Sequence, residues 1–84
     1  MYYVYGLKSI KNGSYYVGSC ENLSNRLDLH NRGLVRSTKR YLPWQIVYRE
    51  QYKTLQEARK RELQIKSWKK RSSIERLIKK SKFK

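Results

Sequence analysis

Two short runs of the same character flank one turn near the start of the chain, and they limit its folding more than any other feature. Residues 2 to 9 (Tyr-Tyr-Val-Tyr-Gly-Leu-Lys-Ser) and 15 to 19 (Tyr-Tyr-Val-Gly-Ser) are rich in aromatic and β-branched side chains. Such side chains fit a pleated, half-buried surface. Between the runs lies Lys11-Asn12-Gly13-Ser14, and Asn-Gly supplies the positive φ angles that a tight turn needs. The reading is an antiparallel β-hairpin. If Asn12-Gly13 is a two-residue turn, strand alternation puts Tyr3, Tyr5, Leu7, Tyr16 and Gly18 on one face. Phenols in strands ordinarily pack with a wet hydroxyl, and a stacking platform for bases is the nucleic-acid alternative.

The rest of the chain continues as α-β-α-α. Asn22 suits the N-cap of a helix running to about Asn31, with Leu23, Leu27 and His30 at helical spacing and Gly33 as a left-handed stop. Pro43 precedes Trp44-Gln45-Ile46-Val47-Tyr48-Arg49, which reads as a third strand. Thr54-Leu55-Gln56-Glu57 fits a capping box opening a helix to about Trp68, and Ser72-Ser73-Ile74-Glu75 repeats the device before a last helix. The expected fold class is α+β, with order β-β-α-β-α-α, in one domain over residues 1–80 and a basic tail at 81–84.

Charge decides the partner. The 84 residues carry 21 Lys plus Arg against 6 Asp plus Glu, a formal charge of +15, which attracts polyanions far beyond what solubility requires. Residues 53 to 84 alone hold 13 Lys or Arg against 3 Glu, so the C-terminal helices form the basic surface. DNA is the expected partner, with RNA as an alternative, and phosphate contacts of this kind supply affinity more than sequence choice. No long apolar run or signal-type segment is present, so no membrane role is expected. Cys20 and His30 are each single, which leaves no intramolecular disulfide and no four-ligand zinc site and points to a cytoplasmic address. Cys20 reads as a small buried side chain.

Two positions break their local pattern. Leu55, Ala58, Glu62 and Ile65 follow the three-and-four spacing of an inward helix stripe, so a carboxylate stands where an apolar side chain belongs. A carboxylate in such a place is paired with a cation or bound to a metal, and the pattern leaves both open. Arg26 and His30, four apart, project from one face of the first helix, where His30 is either a structural hydrogen-bonding residue or a functional one.

Taken together, the fragments resemble the GIY-YIG endonucleases, and within them the small stand-alone bacterial members. Tyr3-Val4-Tyr5 stands in place of the first motif and Tyr16-Val17-Gly18 of the second. Asn22-Leu23-x-x-Arg26-Leu27-x-x-His30-Asn31, Ser37-Thr38-Lys39, Pro43-Trp44, Arg61-Glu62 and Ile65-Lys66-Ser67-Trp68 follow in order. Tyr3 replaces the first-motif glycine, as in many small members. Gly6 stands where those members carry a large aliphatic residue, which implies looser strand packing there, and no Asn follows position 31.

The resemblance implies a three-stranded antiparallel sheet flanked by three helices. It also implies Tyr5 and Tyr16 as paired active-site tyrosines, Arg26 as a phosphate-binding arginine, His30 as a proton-handling group and Glu62 as the ligand of one Mg²⁺ or Mn²⁺. Lys39, Arg40, Arg59, Arg61, Lys66, Lys69 and Lys70 are the expected nucleic-acid contacts. Mg²⁺ takes most of its ligands from water and substrate phosphate, so one carboxylate suffices. The expected activity is structure- or damage-directed DNA cleavage by a monomer, with a partner protein as one source of specificity and DNA repair as the expected role. The alternative is a non-catalytic binding module on the same scaffold. An RNA-recognition sheet of β-α-β-β-α-β order fits the early hairpin poorly.

Overall fold

A computed structural model of the chain describes residues 1–81, and the last three residues of the expected basic tail lie outside the described residues. The elements are β1 (Tyr2–Ser9), β2 (Tyr15–Cys20), α1 (Leu23–Asn31), β3 (Trp44–Tyr52), α2 (Leu55–Ser67) and α3 (Arg71–Ser81), with a 3₁₀ turn at Lys39–Tyr41. The three strands form one antiparallel sheet in the order β2-β1-β3, so the expected α+β architecture is the observed one.

The hairpin differs from the expected one in its turn. Tyr5 lies opposite Gly18 and Leu7 opposite Tyr16, and Ser9 N–H donates to Ser14 O at 2.8 Å. Ile10 to Gly13 therefore form a four-residue connection, with Gly13 at φ 76° and Ser9 Oγ accepting from the N–H groups of Lys11 and Asn12. The register is displaced by two residues from a two-residue Asn12-Gly13 turn. A displacement of two keeps every side chain on its face, so Tyr5, Tyr16 and Gly18 still share one.

Each face of the sheet has its own core. Val4 and Val17 meet Tyr48, Ala58 and Ile65 on one face, covered by Trp68, Ile74, Leu77 and Ile78 of α2 and α3. On the other, Tyr5, Leu7, Cys20 and Trp44 pack against Leu23 and Leu27 of α1. Burying one such aliphatic side chain contributes roughly 1.5–3 kcal/mol. Between Gly6 and Leu7 the β1–β3 register shifts by one, which makes Val47 a bulge. The looser packing expected at Gly6 is not found: a Cβ there would lie 3.3 Å from Tyr48 Cβ, so Tyr48 fills the space.

Local chemistry sets the helix ends. Asn22 Oδ1 caps α1 by accepting from Asn25 N–H at 2.9 Å, and Gly33 at φ 75° closes it, with Gly33 N–H donating to His30 O and Leu34 N–H to Leu29 O. Thr54 Oγ1 caps α2 from Glu57 N–H, and the Glu57 carboxylate accepts from the Thr54 hydroxyl. The second expected box does not form. α3 begins at Arg71, one residue before Ser72, because Lys69 takes a left-handed turn at φ 54° and Lys70 O accepts the first bond from Ser73 N–H. Glu75 instead faces Arg71 and Tyr15. No helix among the described residues is long and apolar enough to cross a membrane.

Candidate active site

The α1 face of the hairpin carries a chain of buried hydrogen bonds. Tyr5 Oη stands 2.9 Å from His30 Nε2, and His30 Nδ1 stands 2.7 Å from Thr38 Oγ1. Thr38 Oγ1 also reaches Val35 O at 3.4 Å, and a carbonyl only accepts, so the Thr38 hydroxyl donates there and accepts from Nδ1–H. His30 is then the neutral Nδ1–H tautomer, and Nε2 accepts from the Tyr5 hydroxyl. Burial, and after it the Arg26 guanidinium, holds His30 below the ordinary imidazole range. Burial, followed by the Tyr16 phenol, pushes Tyr5 far above the ordinary phenol range. Both shifts favour the neutral forms this chain requires.

The backbone makes room for the arrangement. Tyr5 is only 3% exposed, and its ring lies across Gly18, where a Cβ would come within 2.5 Å of Tyr5 Oη. Tyr16 borders the same space, its ring centroid 6.4 Å from Tyr5 and 5.1 Å from His30, and stays half-buried at the surface. Arg26, half-buried on α1, is close enough to act electrostatically on Tyr5, Cys20 and His30. Behind them Trp44 is locked in place. Its Nε1–H donates to Thr38 O, and the Asn31 side chain donates to Trp44 O and accepts from Trp44 N–H.

Glu62 arrives from α2 at the β2 edge. Its side chain is 17% exposed, with Oε1 accepting from Ser19 Oγ at 2.5 Å and Oε2 paired with Lys66 Nζ at 2.6 Å. The carboxylate therefore borders the strand edge rather than the core centre, and its charge contributes to raising the Tyr5 phenol. Lys66 Nζ lies 5.6 Å from the Tyr16 ring centroid, so one lysine links Glu62 to the tyrosine face. Among the described residues no three His, Cys, Asp or Glu side chains cluster. One hard oxygen donor, held from behind by Ser19, suits a cation that draws its remaining ligands from water and phosphate.

The expected contact residues separate in space. Lys66, Lys69 and Lys70 line a groove of about 500 Å³ with Tyr15, Tyr16 and Arg71, between the β2 edge and the α2–α3 junction. Lys39 and Arg40 are exposed on the 3₁₀ turn just after Thr38, and Arg59 is exposed on α2. Arg61 is not brought to the site: it grips Glu50 with two nitrogens at 3.0 Å, donates to Gln64 and lies over Trp68. Sequence reasoning assigned no role to Thr38, Ser19 or Asn31. Small polar residues carry no periodic signal, and only the Ser37-Thr38-Lys39 and His30-Asn31 fragments marked two of them.

Comparison with known proteins places the chain. A family model described as the GIY-YIG catalytic domain matches residues 1–79. Proteins named UPF0213 protein from Staphylococcus aureus strains Mu3, Mu50 and N315 are each 39% identical over 79 residues, covering 93% of this chain and 94% of each relative. No solved structure matches at a significant level. The paired tyrosine strands, the α1 His and Arg and the α2 Glu thus belong to a small domain of the GIY-YIG nuclease family, of which this chain is a member.

Proposed function

We propose that the chain is a metal-dependent endonuclease that hydrolyses phosphodiester bonds of DNA at sites marked by structure or damage. The observation that carries this reading is the junction of a neutral Tyr5–His30–Thr38 hydrogen-bond chain with Arg26, Tyr16 and the Glu62 carboxylate along one strand edge. Glu62 would hold one Mg²⁺ or Mn²⁺ ion, which when bound supplies Lewis-acid stabilisation of phosphate charge.

The chain's own groups supply the remaining needs. Arg26 places fixed positive charge beside Tyr5 and His30, where the transferring phosphate gathers negative charge. Tyr5 takes a proton from the attacking water while passing its own to His30 Nε2, so no phenolate has to persist in a site that disfavours it. Thr38 holds the Nδ1–H and supports the imidazolium that forms. Half-exposed Tyr16 faces the substrate and orients the water. Lys66, Lys69 and Lys70 hold the strand by its phosphates, with Lys39, Arg40 and Arg59 as outer contacts. We further propose a cytoplasmic monomer whose site choice comes from substrate shape or a partner protein.

One observation favours the second reading, a binding module without turnover: the Glu62 carboxylate is already paired with Lys66. The deciding experiment incubates the protein with duplex, nicked, branched and single-stranded DNA and with RNA, in Mg²⁺, Mn²⁺ or EDTA, beside Glu62→Ala. Cleavage that needs metal and disappears in the variant, while salt-sensitive binding persists, supports the nuclease. Binding of every substrate with no cleavage in either metal transfers the function to the binding module.

A further inference from the structure

Lys66 stands where a cation bound to Glu62 would have to go. Its ammonium lies 2.6 Å from Oε2, while Oε1 is held from the other side by Ser19 at 2.5 Å. The two partners differ in how firmly they are placed. Ser19 comes from the rigid β2 strand, whereas Lys66 is the exposed end of a flexible stem, with a side chain 44% exposed against 17% for Glu62. An i,i+4 pair whose lysine end stands open to water is weak. It therefore yields to a divalent ion without disturbing the fold.

The surroundings give the released ammonium a place to go. The groove beside Glu62 is lined by Lys66, Lys69, Lys70 and Arg71 with Tyr15 and Tyr16, and its lining includes no Asp or Glu. The Glu75 carboxylate that borders this lining already faces Arg71 and Tyr15, so a Lys66 ammonium displaced from Glu62 remains available to phosphate.

We propose that Lys66 is a displaceable counter-ion of Glu62, a positioning residue that keeps the carboxylate aimed until a divalent cation takes its place. The inference rests on Glu62 being the metal ligand. Two consequences distinguish it from a merely structural ion pair. Removing the ammonium while keeping the stem tightens cation binding, because competition and charge repulsion both vanish. Replacing it by another cation does not.

The test measures Mn²⁺ binding to the full chain without nucleic acid, at fixed ionic strength, from the loss of the free-ion paramagnetic resonance signal. Wild type, Lys66→Met, Lys66→Arg and Glu62→Gln are compared. The expected result is binding roughly three- to tenfold tighter in Lys66→Met, within about twofold of wild type in Lys66→Arg, and lost in Glu62→Gln. If Glu62→Gln loses binding but Lys66→Met binds no tighter than wild type, the counter-ion role is overturned and the Glu62 reading stands. If all four proteins bind alike, or none binds, both are overturned.

Discussion

Tyr5 Oη and His30 Nε2, 25 residues apart in sequence, meet at 2.9 Å inside the protein as two neutral groups. Stability must therefore depend on pH at both ends. His30 is held below its ordinary value by burial and then by Arg26, so between about pH 6.5 and its lower folded value the unfolded chain binds more protons. Its contribution is complete above about pH 6.5 and is lost as pH falls below that, at up to about 1.4 kcal/mol per pH unit. Tyr5 is raised, so its contribution is complete below about pH 10 and is lost as pH climbs above that. Tyr52, pushed up to about 12 by burial and by its hydrogen bond to Glu50, acts in the same alkaline direction. Urea-unfolding midpoints measured from pH 5 to 8 should fall on the acid side in wild type and flatten in His30→Gln. A wild-type midpoint that holds level from 6.5 to 5 contradicts the neutral buried imidazole.

Gly18 is expected to tolerate no side chain. A methyl group would lie 2.5 Å from Tyr5 Oη and 2.7 Å from Cζ, and the ring is confined between β2 and His30. Gly18→Ala should cost about 1–3 kcal/mol by overpacking and break the bond to His30. Gly6→Ala, whose new Cβ meets only Tyr48 Cβ at 3.3 Å, should cost less. Thermal unfolding of the two variants gives the comparison. Equal losses would mean that Tyr5 swings away freely.

The tyrosine face was legible in the sequence because parity is robust. The observed four-residue connection exceeds an Asn12-Gly13 turn by two residues, and an even shift leaves Tyr5, Tyr16 and Gly18 together. The Val47 bulge was not legible, since β3 carries no Gly or Pro, and Gly6 in the partner strand does not reveal which residue opposite it is left unpaired. Ser72 failed as a cap for a related reason: the chain turns at Lys69, which no propensity would select for a left-handed backbone. Glu62 was flagged by its break in an apolar stripe, but Ser19, its partner, sits in a strand whose spacing reveals only which way it points.

Basic residues should divide into those that hold the fold and those that meet phosphate. Arg61 binds Glu50 through two nitrogens and covers Trp68, and the Glu50 hydrogen bond raises its pKa. Arg61→Ala should lower stability by about 1–2 kcal/mol, because Glu50 loses a half-buried partner, and leave the salt dependence of DNA binding unchanged. Lys70→Ala should do the reverse, leaving stability within about 0.5 kcal/mol and reducing the salt slope by about one. Urea titration together with anisotropy of a labelled oligonucleotide over a salt series reads both. A slope that drops in Arg61→Ala would return that residue to the contact surface.

Lys69 carries both costs at once. Its φ of 54° lies in the left-handed region, where a side chain costs roughly 1–2 kcal/mol that glycine avoids, and Lys69 also lines the groove beside Tyr16. A turn needing that backbone would ordinarily hold Gly or Asn. The presence of a lysine is explained if its charge serves the strand of nucleic acid passing from Tyr16 toward the α2–α3 junction. Lys69→Gly should therefore raise stability by up to about 1 kcal/mol while lowering the salt slope of DNA binding by about one. Lys69→Asn separates the effects further, since it relieves the same backbone with a neutral side chain and should lose the same slope. If Lys69→Gly gains stability and keeps the full slope, the strained turn serves only to orient α3, and Lys70 with Lys66 carries the contact.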